Sequence, residues 1–425
     1  MKVSNAQELA EAIKAQEQII ELEGTITGSP SITLPEGTTL KGGTLEFKGK
    51  GVRLSRNNTL EDITISTLNY EEAIYNDSSI EDAGVFKLHK VETKGQISIV
   101  AKDAIHHIRV EADDVFVREA DVRGRAIQPH GFGVDVLQGG FTLWNQQKDS
   151  NAHFSATLHD IKVGTKETPV RGSGVFVAGY GDREGKSAGG LFTADVIETG
   201  DIYIDGGIAK DTPDKISAGV FVVSGAVVQK IVNSGTVTTY GQNDMVLDLW
   251  GETPQWIANN TITSYGASGI GFVNFGKMGH LEINAPIVTH GDGARGFNLY
   301  DGSIESASFK SIETKGNGSI GIQVSKPMGE LHVKGAVTTN GSEGTSLVKG
   351  VQMKLKAVGV SIKEGADIKK LQIDGTVSTQ GDDLNSVEVL EGARVREISI
   401  NKIEALGKNS KRIELSGDVP EGSLR

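Results

Sequence analysis

Short runs in which apolar and polar residues alternate recur along the whole chain, separated by clusters of Gly, Asn, Asp and Ser. Gly296-Phe297-Asn298-Leu299 and Ser311-Ile312-Glu313-Thr314 are two of them. A period of two bounded by turn residues predicts strands. The runs themselves repeat: Gly241, Gly266, Gly291, Gly316 and Gly341 stand 25 residues apart. Two positions before each glycine is a hydroxyl, Thr239, Ser264, Thr289, Thr314 or Thr339. Two positions earlier still is a β-branched apolar residue, Val237, Ile262, Ile287, Ile312 or Val337. Leu247, Phe272, Phe297 and Ile322 follow the first four glycines at a constant distance. A fixed period of this length predicts stacked units, because one unit cannot bury its apolar face without a neighbour. The LxxLxL core and helical or Asn-ladder half of a leucine-rich repeat are absent. The fold expected is therefore all-β, a single-stranded right-handed parallel β-helix (a solenoid of about 25 residues per coil), with strands stacked about 4.8 Å apart.

In chain order, residues 4–15 predict a helix that caps the open end of the stack. Ser4 with Gln7 reads as a capping box, and Leu9, Ala12 and Ile13 form the apolar stripe. Ile19, Ile20 and Leu22 follow as a first strand. Then come ITLPEGTTLKGGTLEFKGKGVRL, from Ile32 to Leu54, and NNTLEDITI, from Asn57 to Ile65. A capping helix followed by these two segments resembles the opening coils of the pectate lyase-like superfamily of right-handed parallel β-helices. The resemblance implies architecture over most of the chain. That superfamily holds polysaccharide lyases, hydrolases and epimerases beside non-catalytic adhesins and tail fibres, so it implies no single activity.

Between residues 66 and 130 the period is harder to follow, with strands expected at Val85 to Leu88, Ile97 to Val100 and Val115 to Val117. From Gly133 a Gly-Val-x-Val pattern recurs, with copies at Gly174, Gly219, Val246, Gly271, Gly296, Gly321, Gly359 and Ser386. Coils within residues 133–219 carry two adjacent insertions, residues 241–340 are the most regular, and the coil after Gly341 is long again. Its basic stretch from Leu347 to Lys356, with Lys349, Lys354 and Lys356, reads as a loop or a short amphipathic cover. Residues 408–425 should end or cap the stack. No interdomain linker is visible, so residues 1–425 are expected to form one domain.

A net charge of -12 and a pI near 5.3 oppose a nucleic-acid partner. Cysteine is absent, which removes disulfides and thiolate chemistry. No run approaches the ~20 apolar residues of a membrane span, so no membrane insertion is expected. Met1-Lys2-Val3-Ser4-Asn5 lacks the apolar core of a signal peptide, which leaves a cytoplasmic protein or a mature secreted form. His106-His107, His153 and His159 fit no HExxH or CxxC frame, so no metal and no cofactor is implied.

The clustered insertions point to a functional face. The third residue of each Gly-Val-x-Val copy should point outward, which places Asp135, Phe176, Phe221, Asp248, Val273 and Asn298 on one ladder. Asp135, Phe176 and the loop Gly179 to Gly185, with Tyr180, Asp182 and Arg183, have the composition of a sugar-binding groove. Aromatic faces stack on pyranose rings, while carboxylates and Arg hold hydroxyls or uronates. His130 and Arg171 precede the same strands, so catalytic roles are assigned to Asp135, Asp182, Arg183, His130 and Arg171. Asp135 and Asp248 stand three rungs apart, roughly 14 Å, too far for a glycosidase pair, whereas Asp135 with Asp182 stays open. A second region joins Asn243-Asp244, Asp248, Trp250 and Trp256 to Arg295, Asn298, Tyr300 and Asp301. Substrate contacts are thus expected from Tyr180, Phe176, Asp248, Trp250 and Tyr300.

Two function classes follow. The first is a carbohydrate-binding or carbohydrate-active protein, of lyase, hydrolase or epimerase type, whose partner is a polysaccharide or oligosaccharide. The second is a non-catalytic structural or adhesive scaffold, in which outward Phe176, Phe221 and Val273 form a flat interface of a homo-oligomer.

Overall fold

The computed structural model of the chain describes residues 1–210, 212–348, 351–422 and 424. The architecture is all-β, with long sheets of parallel strands, an arrangement compatible with a parallel β-helix. A helix, Ala6–Lys14, and an antiparallel hairpin, Glu343–Val348 with Val351–Lys356, depart from that pattern. Among the described residues no helix is long and apolar enough to cross a membrane. The chain falls into two compact units. One comprises Met1–Gly131, Val136–Asp205 and Phe221–Lys230; the other comprises Phe132–Asp135, Gly206–Val220 and Ile231–Arg425.

In the first unit the alternating pattern becomes two files of apolar side chains. Ile20, Leu40, Leu60, Leu88, Ala112, Leu158 and Ile197 are parallel partners across one sheet. Ile32, Val52, Ile74, Ile97, Phe141 and Val175 are partners across the other. None of these is more than 7% exposed. The expected strands between residues 66 and 130 are present and in register, within Asp82–Lys94, Gln96–Ala101 and His107–Glu119. The long strands Asp82–Lys94, His107–Glu119 and His153–Val163 turn a corner at Lys90, Asp114 and Asp160, with Asp62 at the equivalent place in Thr59–Ser66, each at a φ of 48° to 53°. A single left-handed residue per rung bends the ribbon while pairing continues on both sides.

The helix begins one residue later than the Ser4–Gln7 box predicts. Asn5 is the N-cap, its side chain accepting from the Glu8 N–H at 3.0 Å, and Glu8 accepts in return from the Ser4 N–H at 2.7 Å. Asn is as good a cap as Ser, and only Asn5 has Glu three residues on. Leu9 and Ala12 are buried as the stripe predicts.

In the second unit the 25-residue period has a direct physical cause. Val237, Ile262, Ile287, Ile312, Val337 and Val377 are successive partners in one sheet, and Leu247, Phe272, Phe297, Ile322, Val360 and Val387 in the other. The glycine file stands where backbones meet at a turn: a Cβ on Gly266 would lie 1.7 Å from the Gly241 carbonyl oxygen, and one on Gly291 2.0 Å from that of Gly266. The hydroxyl file is buried, and two of its members tie neighbouring segments, Thr314 donating to the Ser319 carbonyl at 3.0 Å and Thr339 to that of Ala357 at 2.6 Å. The residues after Gly291 and Gly316 link the rungs: Asp292 Oδ1 accepts from the Asn317 N–H, and Asn317 Oδ1 from the Ser342 N–H.

The outward ladder departs from expectation. Phe176, Phe221, Asp248, Val273 and Asn298 are all buried, none more than 1% exposed. Their strands are covered on the second face as well. Trp144 packs edge-on against Phe176, which meets Phe221; Phe132 lies on Trp250 and Phe275; and the hairpin places Ser346 within 3.2 Å of the Arg295 guanidinium. Phe176, Phe221 and Val273 therefore present no exposed apolar interface. The hairpin overlaps the stretch from Leu347 to Lys356 read as a loop or cover, of which Lys349 lies outside the described residues. The strand Lys411–Leu415, in the segment expected to end or cap the stack, pairs as a further rung with Asn385–Val389.

Candidate functional site

A cavity of about 190 Å³ opens in the first unit between Ile127, Pro129 and His130 on one side and Trp144, Tyr180 and Val223 on the other. Trp144 ends the strand Gly139–Asn145, all of whose side chains are buried, and is paired with Ala178. Tyr180 lies just past the strand Ser173–Ala178, its N–H donating to the Gly190 carbonyl at 2.9 Å. The wall beneath it rests on a contact that only glycines permit, since a Cβ on Gly179 would lie 2.2 Å from the Gly225 carbonyl oxygen. The segment carrying His130 is anchored by buried glutamines. Gln138 donates to the Ile127 carbonyl at 2.7 Å, Gln96 to Gln138 at 3.1 Å, and Arg125 reaches Gln96 at 2.6 Å.

The cavity brings together two of the sequence-predicted residues, His130 and Tyr180, with Gln146 and Ser224 adding polar groups. The other predicted residues have different surroundings. Arg171 is ion-paired with Asp205, next to the Asp121–Arg123 pair. Asp182 closes its own turn, accepting from the Lys186 N–H at 2.7 Å, and Arg183 is exposed on that turn. Asp135 belongs to the second unit, where its N–H donates to the Asp214 carbonyl at 2.7 Å. Among the described residues no carboxylate lines the cavity. Trp144 and Gln146 were not singled out as site residues. The only signal for Trp144 was its place at the end of the apolar run Gly-Gly-Phe-Thr-Leu-Trp.

The second predicted region lies wholly in the second unit. Asp244 accepts from the Gly206 N–H, the Ser217 hydroxyl and the Gly241 N–H at 2.6 to 2.9 Å, which makes it a structural tie. Trp256 is core, donating from Nε1 to Asn233 at 2.7 Å. Trp250 sits in a cluster with Phe132 and Phe275, and Tyr300 stacks on Phe275 with centroids 5.1 Å apart. Asp248 is enclosed beside Trp250. Burial drives its carboxyl well above the usual range of an aspartate against the opposing pull of the Trp250 indole, and neither oxygen completes a hydrogen bond of normal geometry. Asn298, fully buried, likewise has no partner for its amide oxygen or nitrogen among the described residues. Burial pushes the Arg295 guanidinium down to about 10, which leaves it charged at neutral pH.

Among the described residues no cluster of three or more His, Asp or Glu has the arrangement of a metal site. The molecule thus belongs to the broad class of all-β proteins built from stacked parallel strands. Comparison with protein-family models, with curated proteins and with solved structures finds no match.

Proposed function

We propose that this is a carbohydrate-binding right-handed parallel β-helix, pectate lyase-like in architecture, which holds one sugar residue of a polysaccharide or oligosaccharide in the cavity of the first unit. The observation that carries this reading is the pairing of Trp144 and Tyr180 with His130, Gln146 and Ser224 around one recess. Aromatic rings with a few directional polar groups suit a pyranose, whose faces are apolar and whose rim is hydroxylated. The volume, below the ~300 Å³ at which pockets for larger ligands begin, suits a single ring. Binding is favoured over cleavage because glycoside hydrolysis ordinarily needs two carboxyl groups flanking the bond, and among the described residues none lines the recess.

The test is a screen of the purified protein against acidic and neutral polysaccharides by calorimetry, with reducing-end and unsaturated-uronate assays on the same samples. Tyr180→Ala is expected to weaken binding about tenfold or more, a change of ~1.4 kcal/mol, while Arg183→Ala leaves it unchanged. Equal binding by Tyr180→Ala would reject the cavity, and product formation would reject a purely binding role.

The scaffold reading rests on a different observation. Tyr240, Tyr265 and His290 form a file, Tyr265 exposed and the other two half-buried, with centroids 5.4 and 4.5 Å apart and planes within 19°. Their faces cover one another, so this file serves the stacking of rungs. Absence of any glycan binding from folded protein would leave that reading.

A further inference from the structure

Arg295 is 2% exposed, and its guanidinium hydrogen-bonds only neutral groups among the described residues. Gln323 Oε1 lies 3.3 Å from Nε, the Gly293 carbonyl 3.4 Å and the Ser346 hydroxyl 3.2 Å from Nη1, all at the long end of hydrogen bonding. No carboxylate of the described residues comes within ion-pair distance. Lys363, itself largely buried, adds repulsion, and Glu388, its nearest offset, is held by Ser361 at 2.7 Å and Asn385 at 3.2 Å. A buried cation without a counter-ion is destabilising, because desolvation is not repaid by a partner. Asn298 is paired across the sheet with the same Gln323, and among the described residues neither its amide donor nor its acceptor has a hydrogen-bond partner. A buried amide with no partner points to a missing ligand or water, and a ligand that also offset the arginine would have to be negative.

We propose that the second unit holds a small oxyanion under the hairpin, against Arg295 and Asn298, with Lys363 contributing long-range attraction. The ligand is a carboxylate, sulfate or phosphate group, since its oxygens can accept from a guanidinium and an amide together. This site lies in the other unit from the proposed sugar cavity and stands or falls independently of it.

The test is thermal unfolding of the full chain titrated with sodium sulfate, phosphate or acetate, each against sodium chloride at matched ionic strength. Wild type is expected to show a saturable rise in Tm with at least one oxyanion beyond the chloride control. Tetrahedral anions and acetate are separate arms, and a response to either class supports the site while naming the class. Arg295→Met, which replaces the buried charge by a side chain of similar length, is expected to fold with Tm unchanged or raised and to lose the anion response. Asn298→Leu provides a second variant and should weaken apparent affinity about tenfold or more. A wild-type shift no larger than that of chloride, as water alone at the site would give, overturns the proposal. So does a response retained in both variants.

Discussion

Asp248 shows how one buried side chain can make stability depend on pH. Its carboxyl has an ordinary value of 3.8 when the chain is unfolded and is raised well above it in the fold. Below the unfolded value both states are protonated. As pH rises past it the unfolded state releases a proton that the folded state retains, so stability falls until the folded value is reached. Asp248→Asn removes this slope. The variant is expected to match wild type near pH 4 and to exceed it by about 1–3 kcal/mol at pH 8, checked by urea denaturation at both values. Gly266 makes the opposite case. An added methyl would sit 1.7 Å from a backbone oxygen, which has no flexible end to move aside, whereas one on Gly49 meets nothing within 4 Å. Gly266→Ala should cost several kcal/mol, on the order of the largest single-residue losses. Gly49→Ala should be neutral or gain a few tenths of a kcal/mol in the same melts.

At the scale of the element, the corners and the hairpin decide what the strands can do. Each bend in the long strands of the first unit is a single left-handed residue, Lys90 among them, at a φ of 51°. A side chain there costs about 1–2 kcal/mol that glycine avoids, so Lys90→Gly is expected to stabilise by about 1 kcal/mol. The exposed Lys90–Asp62 contact at 3.7 Å gives little to lose. Lys90→Val, β-branched, should destabilise by a comparable amount, and the pair of melts distinguishes corner strain from loss of the ion pair. The hairpin Glu343–Val348 with Val351–Lys356 carries Ser346 onto Arg295 and so encloses groups that an uncovered strand face would leave in water.

For the whole molecule, stacking makes stability a property of neighbouring rungs. Phe297 contacts Phe272 and Phe309 within the second unit and is fully buried. Phe297→Ala should cost about 3–5 kcal/mol. Hydrogen exchange should report the loss over Asp244–Leu249 to Ile320–Val324 and leave the first unit's slow amides at their wild-type rates. In wild type the slowest amides are expected in those central rungs. The strands Ile398–Ala405 and Lys411–Leu415, of whose residues only Ile398 is buried, should exchange faster. Uniform protection across all rungs would contradict this picture.

Periodicity alone was enough to read the stacked parallel strands, because every copy must supply the same inward residues and the same glycine at the same close approach. Gly241, Thr239, Val237 and Leu247 each have a place in the fold that explains their recurrence. Of the candidate site, Tyr180 in the loop Gly179 to Gly185 and His130 just before the strand that follows it were legible in the sequence, and both line one cavity. What the pattern could not reveal was the second layer. Alternation tells which side of a strand a residue takes, and it is blind to segments distant in sequence that cover that side. Phe176, Asp248 and Asn298 were therefore read as exposed, and burial by Trp144, Phe132 and the hairpin made them core or enclosed polar groups. Whether Asp182 and Arg171 were free to act was likewise decided by nearby partners, a turn amide and Asp205. A repeat determines its rungs because each contact recurs with the sequence; the coverings occur once, and only the tertiary structure, through packing and desolvation, sets them.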